Sequence, residues 1–161
     1  MKKLFLALPL ALLVVGNAMA VDPIEKQVTV TAVIPTDSFY VEPVGGNWMN
    51  DPQEMAWNPF QQTLTPISKQ LQVKSTTGAI SAYVLTPPVM TSGANNIDLQ
   101  VSVAGKALTT TAAQVVTAAQ AAPGSTVSFQ VAALGDGSTY VPGAYQGVVN
   151  MMFETVTPPG N

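Results

Sequence analysis

Asp51 and Glu54 stand three residues apart, a spacing that can bring two carboxylates together for general acid–base work. Pro52 between them and the strand-like surroundings instead predict a solvated turn pair. The chain has no histidine and no cysteine, which removes the usual general base, the thiolate nucleophile and most zinc or copper ligand sets. A calcium site at Asp51 or Asp98 would need further oxygen ligands in register, and no EF-hand or repeat spacing supplies them. Asp136-Gly137-Ser138 reads as a turn. No catalytic, metal-binding or cofactor-binding residue is therefore expected, and neither is an enzyme.

Aromatic side chains offer a second kind of chemistry. Phe39, Tyr40, Trp48, Trp57 and Phe60 are concentrated in the first third of the chain that follows the N-terminal apolar run. Trp48, Trp57 and Tyr40 suit a sugar-stacking platform, which would make the protein a self-complete, carbohydrate-binding β-sandwich module. Packing is the other expectation: Trp57 and Phe39 in the core, with Trp48 capping a loop beside Gly45 and Gly46. Met49, Met55, Met151 and Met152 are expected to fill gaps in the core.

The elements that would position these residues begin after a processing segment. Lys2 and Lys3 precede an apolar run from Leu4 to Val15, Gly16 and Asn17 break it, and Ala18-Met19-Ala20 fits a small-x-small cleavage site. Residues 1–20 read as a signal peptide cut between Ala20 and Val21, the run being too short for a lasting membrane span. The 141 residues left are one domain's worth, with four lysines, no arginine and nine acids for a formal charge of −5. Nucleic acid and anionic membrane are poor partners for such a surface. An exported chain without cysteine has no disulfides, so packing or association with a partner must stabilise it.

Abundant Val and Thr, regular Pro and Gly, and few charges predict an all-β sandwich. Strands are expected over 25–34, 38–43, 53–57, 69–75, 79–85, 97–103, 107–110, 126–133 and 144–156, with turn signals between them. Thr109 to Ala122 fits either a short helical turn or a loop on the sandwich edge. The first strand has a clean two-residue period: Val28, Val30, Ala32 and Ile34 form one apolar face against Thr29 and Thr31. At a free terminus, such a strand is available for donation to a neighbouring subunit.

Three segments resemble a known family. Glu25-Lys26-Gln27-Val28-Thr29-Val30-Thr31-Ala32 is similar to the E-K-x-(I/V)-T-V-T-A start of mature major subunits of class 5 fimbriae, the alternate chaperone/usher group of the colonization factor antigen I type. Ser102-Val103-Ala104-Gly105-Lys106-Ala107-Leu108-Thr109-Thr110 resembles the family's (F/W)-(A/G)-G-x-x-L-(S/T)-T stretch, with Val103 in place of the aromatic. Gly143-Ala144-Tyr145-Gln146-Gly147-Val148-Val149 resembles its closing A-G-x-Y-x-G-x-V strand. Order and spacing agree. Val21-Asp22-Pro23-Ile24 places extra residues before Glu25, and residues 35–70 match only loosely.

The resemblance implies an immunoglobulin-like sandwich that lacks its last strand and is completed by the N-terminal extension of the next subunit. On this expectation residues 21–36 are the donor-strand extension and 37–161 the pilin sandwich domain. Val28, Val30, Ala32 and Ile34 then cover a groove lined by the closing strand, where Tyr145, Gly147, Val149, Met151 and Phe153 share one parity. The implied protein is the major structural shaft subunit of a bacterial surface fimbria that supports adhesion of the cell. Its implied partners are identical subunits, a periplasmic chaperone, an outer-membrane usher and a minor tip adhesin, with export through the periplasm and no cofactor. A tip adhesin of the family is about twice as long, so the shaft subunit is the better likeness.

Overall fold

Apolar side chains at every second position decide which face of each strand turns inward, because side chains in extended backbone alternate between the two faces of a sheet. The computed structural model describes residues 38–135 and 137–156. The expected signal peptide and the expected strand with Val28, Val30, Ala32 and Ile34 lie outside the described residues, as do Asp136 and the last five positions.

One sheet contains, in spatial order, β1 (Phe39–Pro43), β4 (Ile67–Ser75), β10 (Ser125–Ala133) and β7 (Asn95–Val103). Beyond β7, β6 (Val89–Ser92) pairs with its first half and β8 (Lys106–Ala107) with its last residues. The facing sheet has β11 (Met151–Val156), β5 (Ala79–Val84) and β9 (Ala113–Val116), with β5 in the middle. A small separate ladder joins β2 (Trp57–Asn58) to β3 (Thr63–Leu64). All pairings among the described residues are antiparallel.

Leu71 and Val73 of β4, Val101 and Val103 of β7, Phe129 and Val131 of β10, and Ile80, Ala82 and Val84 of β5 form one buried core between the sheets. Their intervening neighbours Gln70, Gln72, Gln100, Ser128 and Gln130 are exposed. Burying each large aliphatic side chain is worth about 1.5–3 kcal/mol, and here that burial stands in for disulfides.

Two tight hairpins set register in the larger sheet. Ala104 (φ 51°) and Gly105 (φ 75°) join β7 to β8 with the paired positive φ of a type I′ turn. Gly93 (φ 60°) stands at the first central position between β6 and β7, as a type II′ turn requires.

Several expectations need correction. The strand expected over 53–57 is irregular backbone up to Trp57, consistent with Pro52 and with the absence of an adjacent paired edge. The Ala- and Thr-rich stretch supplies both β9 and a short helix, α1 (Ala118–Ala121). Thr117 starts that helix with a capping box: its hydroxyl accepts the Gln120 N–H (3.3 Å), and Gln120 Oε1 accepts the Thr117 N–H (3.2 Å). The closing strand expected over 144–156 is paired as a strand only from Met151 onward. Before it, Gln146 makes a single bridge to Thr91 of β6, with both backbone hydrogen bonds formed (2.8 and 3.1 Å). The segment 146–151 therefore crosses from one sheet to the other.

Candidate functional site

The two flanks of the sandwich differ. On one, Leu108 N–H donates to the Val101 carbonyl (2.8 Å) and Val84 N–H to the Thr109 carbonyl (3.0 Å), so the chain after β8 stitches the two sheets together. The Lys106 ammonium donates to the Gln114 carbonyl (2.6 Å), joining β8 to β9. This flank is closed by backbone.

On the other flank the sheets are of unequal width. Ser75 of β4 and Thr155 of β11 share a hydrogen bond between their hydroxyls (2.7 Å), which places β11 opposite β4. The larger sheet continues one strand further, to β1, whose Phe39 and Val41 stand in register with Ser75 and Val73 and so face inward. The smaller sheet stops. Among the described residues no strand pairs with the outer edge of β11, and none pairs with the outer edge of β1.

The side chains along this gap are apolar and half-buried. Phe39 and Val41 on one wall and Val149, Met151 and Phe153 on the other all pack against the core without being enclosed by it. The predicted parity of the closing segment matches its burial: Tyr145, Val149, Met151 and Phe153 are half-buried, whereas Gln146, Val148, Asn150, Met152 and Glu154 are exposed. Gly147 belongs to the same set for a backbone reason. A Cβ there would collide with the Val89 carbonyl oxygen and lie 3.0 Å from the Met90 Cα, so only glycine lets the segment cross β6 this closely.

A sheet edge such as that of β11, beside half-covered apolar residues, is a surface for adding a strand, because the edge supplies backbone donors and acceptors and the gap supplies places for alternate side chains. No group of three or more potential metal-ligating side chains occurs among the described residues.

The aromatic residues do not form a sugar platform. Trp48 packs on the buried Phe129 ring (centroids 5.3 Å apart), under the Lys69 ammonium 5.8 Å from its own centroid. Its indole Nε1 is buried without a hydrogen-bond partner among the described residues. Trp57 is 47% exposed and pairs with Tyr140 (6.4 Å), while Tyr40 lies on the outward face of β1 near Gly124. The expected assignment of the two tryptophans is thus reversed. Trp48 reaches the core because β4 and β10 leave Phe129 and Lys69 side by side at the end of the sandwich, and sequence spacing gave no sign of that contact. Of the methionines, Met55 and Met151 pack on the core, but Met49 and Met152 are exposed.

Residues 24–154 match the family of CS1 type fimbrial major subunits. The chain belongs to that family. It is a fimbrial shaft subunit, a structural protein that polymerises with other subunits into a fimbrium at the cell surface. The pilin's fold is similar to that of the CooA pilin subunit from enterotoxigenic Escherichia coli, with a TM-score of 0.60 at 18% identity over 76% of this chain and 90% of that one. No curated protein matches the pilin's sequence.

Proposed function

We propose that the pilin polymerises by donating its N-terminal strand into the gap beside β11 of the next subunit. The observation that carries this is the unequal width of the sheets: β1 faces a place in the smaller sheet that no described strand occupies. Val28, Val30, Ala32 and Ile34 have the number, size and period to sit against Phe39, Val41, Val149, Met151 and Phe153. Their burial is worth on the order of 5–10 kcal/mol before the new backbone ladder is counted, and ordering the strand subtracts from this. The family match begins at residue 24, so it includes this strand.

On this reading residues 1–20 are a signal peptide cleaved between Ala20 and Val21, residues 21–36 the donor extension and residues 37–161 the accepting domain. An apolar groove that must stay open until a neighbour arrives needs a cover during export. A periplasmic chaperone supplies that cover, and an outer-membrane usher exchanges it for a subunit strand. A tip adhesin of different sequence ends the fibre.

The test is self-complementation. Residues 25–34 appended after Asn161 through a flexible linker, in a chain lacking its own residues 21–34, fill the groove of the same molecule at high effective concentration. The expected product is a monomer that needs no chaperone and melts many degrees above the truncated chain without the appended strand, at about 2–8 °C per kcal/mol for domains near this size. A truncated chain that is already a stable monomer, unchanged by the appended strand, would refute donation.

A further inference from the structure

β7 outruns its neighbour in the larger sheet. Leu99 pairs with Ala133, the last residue of β10, so Asn95 to Asp98 extend past the end of that strand with β6 on their other side. The Leu134 N–H still donates to the Asp98 carbonyl (2.7 Å), and at Gly135 (φ 97°) the chain turns away. The segment that returns through Tyr140 and Tyr145 supplies a second wall. Between the walls lies a cavity of about 370 Å³, whose lining includes Asn95, Asn96, Ile97, Asp98, Tyr140 and Tyr145. Its size falls within the range of about 300–1,000 Å³ usual for small-molecule sites. None of its described lining comes from β1 or β11, so it is separate from the gap beside β11.

Both tyrosines are pinned in place. The Tyr140 hydroxyl donates to the Leu134 carbonyl (2.7 Å) and the Tyr145 hydroxyl to the Val141 carbonyl (2.8 Å). With those protons committed to backbone, the two half-buried side chains are left with ring surface to offer. The hydrogen-bonding groups come from β7. The carboxamides of Asn95 and Asn96 can each donate and accept, and the Asp98 carboxylate accepts. All three residues are exposed, and the Asn95 Nδ2 reaches the Ser92 carbonyl only at 3.5 Å. Among the described lining residues Asp98 carries the one charge.

We propose that this cavity is a carbohydrate subsite on the body of the subunit, taking one neutral hexopyranose unit of a glycan. A pyranose presents hydroxyls around its rim and C–H groups on its faces. The carboxylate accepts from two such hydroxyls in charge-assisted bonds, the carboxamides serve the remaining ones, and the tyrosine rings cover the C–H surface. An unopposed carboxylate disfavours sialic acid, phosphate or sulfate, since bringing a second negative charge beside it is repulsive. One carboxylate is also too few to hold a divalent cation, and no cluster of potential ligands occurs among the described residues. The site uses none of the aromatic set Trp48, Trp57 and Tyr40. It is independent of strand donation.

Saturation-transfer NMR on purified fibres of the full-length chain tests this, with free galactose, glucose, mannose and N-acetylglucosamine as probes, beside N-acetylneuraminic acid as an anion and lysine as a cation. The expected result is transfer to at least one neutral sugar and none to the two charged probes. Asp98→Ala and Asn96→Ala, each removing a hydrogen-bonding group from an exposed position, are expected to raise that sugar's Kd at least about tenfold. Gln100→Ala, at the next outward position of β7 and outside the cavity, should leave it unchanged. Where Asp98→Ala does not assemble, Asn96→Ala decides. No transfer to any of the four neutral sugars, transfer as strong to N-acetylneuraminic acid or to lysine, or a Kd unmoved by the variants that assemble would each overturn the subsite.

Discussion

The hydroxyls of Ser75 and Thr155 meet 2.7 Å apart between the two sheets, where Ser75 is 1% exposed and also accepts the Gly78 N–H (3.2 Å). Ser75 thus closes the end of the core beside the turn 76–78 with a polar contact, in a position that the alternation of β4 reserves for an apolar side chain. Thr77 Oγ1 approaches both oxygens, at 3.4 Å from Ser75 and 2.9 Å from Thr155.

Ser75→Ala is expected to destabilise the domain by about 1–3 kcal/mol, since it strands the buried Gly78 N–H. Thr155→Ala should cost less, because Ser75 keeps its other two partners. Urea unfolding of the self-complemented chain checks the order of the two, and an equal or reversed order would contradict the assignment.

Gly147→Val should destabilise by a different route. Its side chain has no room against Val89 and Met90, so the crossing segment has to lift away from β6. A loss of about 1–3 kcal/mol is expected from the overpacking, together with weaker strand acceptance because Val149 and Met151 move with it. Thermal melting reports the first effect and the yield of surface fibres the second.

Ala104→Gly works in the opposite direction. Ala104 holds a left-handed backbone at φ 51°, a region that costs an L-residue roughly 1–2 kcal/mol and glycine almost nothing. Part of that gain is offset by the freedom glycine adds to the unfolded chain, so a net stabilisation of about 0.5–1 kcal/mol is expected. A melting temperature no higher than that of the unaltered chain would show the turn to be unstrained.

If residues 25–34 are the donated strand, Val30→Asp would place an unpaired charge in an apolar groove at a cost of several kcal/mol. Subunit should accumulate in the periplasm with chaperone and fail to appear as fibres on electron micrographs. Thr29→Asp, on the opposite face of the same strand, should be tolerated by comparison.

The sandwich was readable in the sequence wherever alternation was regular. Leu71-Gln72-Val73 and Ile97 through Val103 could take only one face inward, and both strands formed. Two features escaped. β6 is only four residues long and follows Pro87-Pro88, so its pairing depends on the Gly93 turn and on β7 rather than on its own pattern. The break in the closing strand was hidden because Tyr145 through Phe153 keep one parity throughout, while the strand changes sheets around Gly147, whose close approach to Val89 is a tertiary contact. The groove was half legible: the parity of Met151 and Phe153 was visible, but the matching wall of Phe39 and Val41 became apparent only once β11 was found opposite β4.

The ladder from Met151 to Val156 against Val84 to Ala79 runs along the length of the domain. A donated strand beside β11 would lie along the same direction, and so would any pull transmitted through the fibre. Ladder hydrogen bonds stand perpendicular to the strands, so tension would load them in shear, all at once, instead of peeling them from one end. On the donor-strand reading, the edge that accepts a neighbour's strand would also give the assembled thread its resistance to being drawn apart.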